Sequence, residues 1–213
     1  DPAGLQWAHC YWPNEGVPMS ERVMVTVEDG VADVRLNRPE KLNALDNQMF
    51  RAIANAGEEL KSRDDLRAVV LSGEGRSFCA GLDFSSFQAM GTERNENQAD
   101  SPGDHLEGRI THLGQQAAWV WQELEVPVIG AINGHALGGG FQIAMGPDIR
   151  IVHPDTKMSI LEVRWGLVPD MGASVLLPSM VGLDVMKEMY FTGKMVSGAE
   201  AVELGIATRL HDD

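Results

Sequence analysis

"GHALGGGFQIA", residues 134–144, places the three consecutive glycines 138–140 directly before an apolar, helix-like segment. Each glycine in a helix interior costs about 1 kcal/mol relative to alanine, so three at a helix start need a physical reason. A helix N-terminus carries unpaired N–H groups and a partial positive charge, and glycine lets a ligand atom approach them closely. Taken alone, the motif favours a simpler explanation, which is close packing of the helix against a strand.

The composition limits the classes of function. The chain has 213 residues, of which 44% are hydrophobic, and this is enough to form the core of one domain. Its 17 Lys and Arg residues against 31 Asp and Glu residues argue against nucleic acid or an anionic membrane as the main partner. Two cysteines, Cys10 and Cys79, predict neither a disulfide framework nor a metal site. No apolar run approaches the ~20 residues needed to span a bilayer, and no signal peptide is recognisable. The cysteine usage makes a reducing cytosol the default, so we expect a cytoplasmic protein.

The chain reads as one domain with an appendage. Residues 1–18 mix aromatic residues with Pro, Gly and Asn without a period, and they predict a loosely attached extension before a domain at 19–213. A polar stretch at 88–105 predicts a mobile loop. Strand and helix patterns alternate along the domain, which favours an α/β architecture. We expect a hairpin from 23–28 and 31–36, helices after Asp46 and over 106–124, and strands at 67–73, 127–133 and 148–152.

A second small-residue turn, "FCAGLD" (78–83), also follows a buried strand. Two strand-to-turn segments that offer backbone N–H groups can hold one oxygen atom between them, which is an oxyanion hole built without side chains. The chain has no G-x-S-x-G motif, and "GHALGGG" lacks the Lys-Ser/Thr of a P-loop. The two turns therefore favour stabilisation of a developing negative charge on an oxygen.

The two turns, with "NRPEKLNAL" (37–45) before them and "EVRWGLVPDMG" (162–172) after them, resemble the crotonase family, also called the enoyl-CoA hydratase/isomerase family. The resemblance covers about residues 23–210. It implies an α/β fold, a crotonase-like spiral of ββα units with two roughly perpendicular sheets flanked by helices. Because family members continue for several helices beyond "GIATRLHDD", we expect the C-terminal helical part to be truncated.

The resemblance also implies the ligand and the assembly. Acyl-CoA thioesters are the expected substrates, with coenzyme A as part of the substrate, no separate cofactor and no metal. A homotrimer or a dimer of trimers is expected if the C-terminal helices are present. The resemblance assigns the oxyanion-hole donors to the backbone N–H groups of Leu82 and Gly139. It gives as substrate-binding candidates Lys41, Leu42, Ala44, Ala80, Gly81, Asp83 and Gly138.

Three residues are the catalytic candidates, namely Glu162, Asp170 and Gln142. The hydratases of the family use two glutamates, and this sequence has Gln142 and Glu162 at the two positions. Gln142 cannot ionise, which weakens hydration and slightly favours double-bond isomerisation by a carboxylate base. Asp170, eight residues after Glu162, matches the dienoyl-CoA isomerases, although their third acid is replaced here by Gln142. A helix N-cap is an equally good explanation for Asp170.

These observations predict an enoyl-CoA hydratase/isomerase enzyme that stabilises an enolate in an oxyanion hole, with isomerisation slightly favoured. Enoyl-CoA hydration of the fatty-acid β-oxidation type is the first alternative. Thioester hydrolysis or carbon–carbon bond chemistry remains open because the fold does not fix the reaction. A non-catalytic acyl-CoA binder is a further alternative. Glu162 argues against it, because an unneeded carboxylate in an apolar pocket is costly.

Overall fold

The structure is a computed structural model that describes residues 21–83 and 102–212. The predicted extension at 1–18 and residues 88–101 of the predicted loop lie outside the described residues, so the proposed domain division stays a prediction. Across the described segments, no helix combines the length and the apolar character needed to span a membrane.

The described residues form two sheets and a set of helices. The strands are β1 (Val23–Glu28), β2 (Val31–Leu36), β3 (Ala68–Gly73), β4 (Val128–Ile132), β5 (His135–Leu137), β6 (Ile149–Val152), β7 (Lys157–Ser159), β8 (Val196–Ser197) and β9 (Arg209–Leu210). The α-helices are α1 (Asn47–Lys61), α2 (Leu113–Trp119), α3 (Gly139–Ala144), α4 (Ala173–Leu176), α5 (Leu183–Thr192) and α6 (Gly198–Glu203). Four 3-10 turns lie at Pro39–Lys41, Val120–Glu123, Glu162–Trp165 and Leu177–Ser179.

The larger sheet has the order β1-β2-β3-β4-β6-β9, and the smaller sheet has the order β5-β7-β8. Strands β1 and β2 form the predicted antiparallel hairpin, while the pairs β2–β3, β3–β4, β4–β6 and β6–β9 of the larger sheet are parallel. Parallel neighbours need crossover connections, and these contain α1, α2 and then β5 with α3. The chain thus leaves the larger sheet after β4 and β6 to add β5 and β7 to the smaller one. This arrangement confirms the predicted crotonase-like α/β fold with two sheets and flanking helices.

Helix α1 matches its prediction. The Asp46 side chain accepts a hydrogen bond from Met49 N at 2.7 Å and caps the helix. Met49, Ile53, Ala56 and Leu60, which lie at helical spacing, are all buried. They pack into one continuous apolar core with the larger sheet and α2.

The prediction of a helix over 106–124 is wrong at its start. Helix α2 begins only at Leu113, and the chain before it forms turns in which Ile110 is 91% exposed. Gly108 has a φ of +74°, which ends any helical run there. His112 then starts the helix as its N-cap, with Nδ1 accepting from Gln115 N at 3.2 Å. After Trp119 the helix tightens into a 3-10 turn.

Candidate active site

A cavity of about 520 Å³ lies where the glycine-rich start of α3 meets the turn at 80–83. Most of its lining is apolar and includes Leu45, Phe50, Trp165, Leu167, Val168 and Met171. The lining also includes His112, Gln142, Glu162 and Asp170, whose side chains carry polar or ionisable groups. Leu82, Gly138 and Gly139 also line it, so the residues of both small-residue turns lie at the same cavity as Glu162 and Asp170.

The two small-residue turns run side by side. Cys79 N donates to His135 O at 2.8 Å, and Leu137 N donates to Cys79 O at 3.1 Å. Gly81 has a φ of +89°, and a Cβ on it would lie 2.5 Å from Leu137 O and 3.8 Å from Gly139 N. Only glycine fits at such a contact. The absence of this one Cβ therefore allows the two turns to meet at the cavity.

The pairing of Leu82 leaves its own N–H unused. Leu45 N donates to Gly81 O at 2.8 Å, and Asp83 N donates to Leu45 O at 2.9 Å, so the residues on both sides of Leu82 are paired. Gly139 is the first residue of α3, where N–H groups have no partner within the helix. Within the described part of the chain, neither N–H has a hydrogen-bond acceptor. Two unpaired donors therefore belong to residues that line one cavity.

The three glycines have different structural reasons. Gly138 adopts a φ of +53° and lies against the carboxylate, since a Cβ there would be 3.7 Å from Glu162 Oε1. A Cβ on Gly139 would lie 2.9 Å from Leu45 Cδ1. On Gly140 it would lie 2.3 Å from Cys79 O, which is a backbone clash. Close packing therefore explains Gly140, whereas the positive φ explains Gly138.

Gln142 and Glu162 form a hydrogen-bonded pair in the wall of the cavity. Gln142 Nε2 donates to Glu162 Oε1 at 2.7 Å. The amide orientation is fixed from the other side, because Gln142 Oε1 accepts from Met171 N at 2.8 Å and from Ala173 N at 3.3 Å. The turn before α4 thus directs the Gln142 amide N–H onto the carboxylate.

Glu162 is a buried carboxylate that lies at the start of a 3-10 turn and is only 8% exposed. Burial raises the pKa of Glu162, and the negative charge of Asp170 adds to the increase, while a backbone hydrogen bond and the Gln142 hydrogen bond oppose it. Its Oε2 atom is buried and has no hydrogen-bond partner among the described residues. The arrangement leaves one oxygen of a weakly acidic carboxyl group available for proton transfer.

Asp170 lines the same cavity but is far more exposed, with 62% of its side chain accessible. Its Oδ2 atom lies 3.8 Å from His112 Nε2, which is too long for a hydrogen bond. The capping interpretation of Asp170 is wrong, because Gly172 is the N-cap of α4 and no side-chain hydrogen bond caps that helix. A left-handed glycine two residues further on takes the place where a capping aspartate was expected.

The substrate-binding candidates separate into two groups. Ala80, Gly81 and Gly138 line the cavity. The other four do not, namely Lys41, Leu42, Ala44 and Asp83. The Lys41 side chain is exposed, and Asp83, at 7% exposure, pairs with Arg38 Nη2 at 2.8 Å. The sequence offered no signal for the cavity residues His112 and Phe50, and Trp165 entered only as part of the motif at 162–172. Tertiary packing brings the three together.

The described residues contain no group of three or more His, Cys, Asp or Glu side chains that could hold a metal ion. The chemistry that this site can perform with its own groups is proton transfer by Glu162 and stabilisation of a negatively charged oxygen by backbone N–H groups.

Comparison with known proteins places the chain among related sequences and structures. The family model for enoyl-CoA hydratase/isomerase matches residues 26–211. A short-chain-enoyl-CoA hydratase of Clostridium acetobutylicum is 34% identical over 190 residues, which are 88% of this chain and 68% of that protein. A peroxisomal Δ(3,5)-Δ(2,4)-dienoyl-CoA isomerase of Arabidopsis thaliana is 32% identical over 191 residues, with 89% and 68% coverage. The crystal structure of an enoyl-CoA hydratase/isomerase from Mycobacterium paratuberculosis has a TM-score of 0.82 and 27% identity, covering 92% of this chain and 75% of that one.

Proposed function

The chain belongs to the enoyl-CoA hydratase/isomerase family, and we propose that its cavity holds the thioester group of an acyl-CoA between the N–H groups of Leu82 and Gly139. The two unpaired donors and the apolar lining support this placement, since the acyl chain needs apolar walls and the carbonyl oxygen needs donors. Loss of one donor of this kind typically costs ~2.7–4 kcal/mol of transition-state stabilisation. Ala80, Gly81 and Gly138 contact the same group.

Glu162 is the proposed base, and its burial next to the two donors is the single observation that carries the proposal. Its Oε2 atom removes a proton from C2, the carbon next to the thioester carbonyl of a 3-enoyl or 3,5-dienoyl ester, and the negative charge moves onto the thioester oxygen. The N–H groups of Leu82 and Gly139 stabilise that enolate. The same carboxyl group then returns the proton to another carbon, so that the double bond shifts and no atom is gained or lost. A raised pKa suits a group that must both take and give a proton.

Isomerisation is favoured over hydration because Gln142 cannot act as a second acid. Its amide is held by three hydrogen bonds and carries no proton that it could transfer at neutral pH. Hydration is the second candidate, since the remaining N–H of the Gln142 amide can hold a water molecule beside Glu162. In either reaction, the negative charge of Asp170 at the mouth of the cavity would help to raise the pKa of Glu162.

The proposed reaction needs no separate cofactor, because coenzyme A enters as part of the substrate. We also propose a trimer or a dimer of trimers, supported by exposed apolar side chains that a partner chain would cover, namely Val175, Leu183 and Phe191. The cytoplasmic location and the absence of nucleic-acid or membrane partners stay predictions from cysteine usage and the net charge of −14.

A panel of 2-enoyl-, 3-enoyl- and 3,5-dienoyl-CoA esters tests the proposed reaction. An isomerase converts the 3-enoyl or dienoyl ester into a product of unchanged mass whose absorbance reports the new conjugation. A hydratase instead removes the absorbance of the 2-enoyl ester, and the product gains the mass of one water. Turnover of none of these esters would overturn the proposal.

A further inference from the structure

The Asn43 side chain is completely buried behind the turn that carries Leu82. Its Nδ2 atom donates to Ser77 O at 2.7 Å and to Glu74 O at 3.1 Å, and its Oδ1 atom accepts from Arg38 N at 2.7 Å. Both amide protons and one oxygen lone pair are therefore used. The side chain fastens the loop at 38–45 to the end of strand β3.

The backbone around Asn43 lies along the Leu82 turn. Ala80 N donates to Leu42 O at 2.9 Å, and Cys79 Sγ donates to Asn43 O at 3.1 Å. The Leu45 hydrogen bonds to Gly81 and Asp83 continue the same contact and bracket Leu82. The position of the Leu82 N–H therefore follows the position of residues 42–45.

The loop holds an unfavourable backbone that needs support. Leu42 and Asn43 have φ values of +53° and +55°. Leucine in the left-handed region costs roughly 1–2 kcal/mol, whereas asparagine tolerates it better. The three side-chain hydrogen bonds of Asn43 offset this cost, and without them the loop would relax toward ordinary φ values.

A buried ion pair supports the turn from the other end. Arg38 Nη2 lies 2.8 Å from Asp83 Oδ2, next to Leu82 in the chain, and both side chains are mostly buried. Arg38 Nη1 also donates to Ala44 O at 3.1 Å. Arg38 thus connects the loop and the turn.

We propose that Asn43 and the Arg38–Asp83 pair are positioning residues that hold the Leu82 N–H where it meets the thioester oxygen. The inference rests on the proposed function, because it needs Leu82 to be an oxyanion donor. Such donors act only when they stand 2.7–3.1 Å from the charged oxygen, so a small shift of the turn weakens them. Asp83, a substrate-binding candidate from the sequence, takes a supporting role in this arrangement.

Two ligands separate positioning from general folding, butyryl-CoA and S-butyl-CoA, the thioether that lacks the carbonyl oxygen. The variants are Asn43→Ala and Asp83→Asn. Asn133→Ala is the matched control, since its exposed Nδ2 atom donates to Gly75 O at 3.2 Å, in the turn that Asn43 also holds. For each protein, kcat and KM are measured on the best ester of the panel, and dissociation constants are measured for both ligands. The infrared stretch of the carbonyl is recorded with bound butyryl-CoA that carries ¹³C at the thioester carbonyl.

Wild type and Asn133→Ala should bind the thioester roughly fivefold more tightly than the thioether, with a carbonyl stretch shifted to lower frequency. In Asn43→Ala and Asp83→Asn this preference and the shift should largely disappear, and kcat should fall roughly 10–10²-fold with KM nearly unchanged. Retention of kcat, ligand preference and carbonyl shift in both variants would overturn the inference, and so would equal loss of affinity for both ligands. If Asn43→Ala does not fold, Asp83→Asn decides by the same readouts. A wild type without any thioester preference would instead overturn the proposed function itself.

Discussion

Replacing Gln142 by glutamate places a second carboxylate against Glu162. The new side chain keeps an oxygen for the N–H groups of Met171 and Ala173, so its other oxygen must take the position that now donates to Glu162 Oε1 at 2.7 Å. At this distance two full charges repel each other by roughly 6 kcal/mol with an effective dielectric constant of about 20. Such repulsion keeps one proton on the pair at neutral pH, and the two groups then titrate as a unit.

The assay is the pH dependence of kcat/KM on the best ester of the panel. Because the added negative charge raises the pKa of Glu162, the rate of isomerisation should reach half its maximum at a pH at least about one unit higher than in wild type. The ratio of hydration to isomerisation should rise as well, since the pair now supplies an acid. Gln48→Glu, an exposed position on α1 with the same change in charge, should leave both quantities unchanged. If the profile of Gln142→Glu coincides with that of wild type, the contact between Gln142 and Glu162 is not as described.

Three further predictions follow from the same contacts. Gly140→Ala should lower the free energy of unfolding, measured by chemical denaturation, by about 1–3 kcal/mol, because its Cβ would clash with the backbone carbonyl of Cys79. Gly103→Ala, which has open space around the Cβ, should change the free energy of unfolding little, and equal effects of the two substitutions would contradict this prediction. Asp170→Asn should lower the pH of half-maximal rate, because the negative charge of Asp170 raises the pKa of Glu162. It should reduce kcat less than about tenfold, and a larger loss of kcat would make Asp170 a second proton-transfer group. Because the folded state raises the pKa of Glu162, the stability of the wild type falls as the pH rises through that pKa. Glu162→Gln should therefore melt at a higher temperature than wild type at pH 7, and the difference in melting temperature should disappear in acid. A difference in melting temperature that does not change with pH would argue against the raised pKa.

Local sequence signals predicted the elements that depend on local physics. The hairpin and helix α1 follow from alternation, from the Asp29-Gly30 turn with positive φ at both residues, and from the Asp46 cap. The start of α2 was missed because its N-cap is His112, whose imidazole replaces the oxygen that capping rules expect.

The membership of the candidate site was predictable only in part, and its pairing was not. Glu162 and Gln142 could be named from their motifs, yet their hydrogen bond depends on the turn at 171–173, which fixes the amide. Asp83 and Lys41 were grouped as ligand contacts, whereas the fold directs the Asp83 carboxylate to Arg38. A sequence shows which charges exist, and only tertiary packing decides which of them pair.

The central claim is that Glu162 transfers the proton while the backbone holds the thioester oxygen. The most direct test is the single-turnover rate of double-bond migration with Glu162→Gln in excess over the substrate, together with its affinity for butyryl-CoA. Glu59→Gln, an exposed change on α1, is the matched control. For Glu162→Gln we predict a rate ~10²–10⁴-fold below wild type and an affinity for butyryl-CoA within about threefold of wild type, and for Glu59→Gln we predict wild-type behaviour. A Glu162→Gln enzyme that shifts the double bond at the wild-type rate would contradict the central claim.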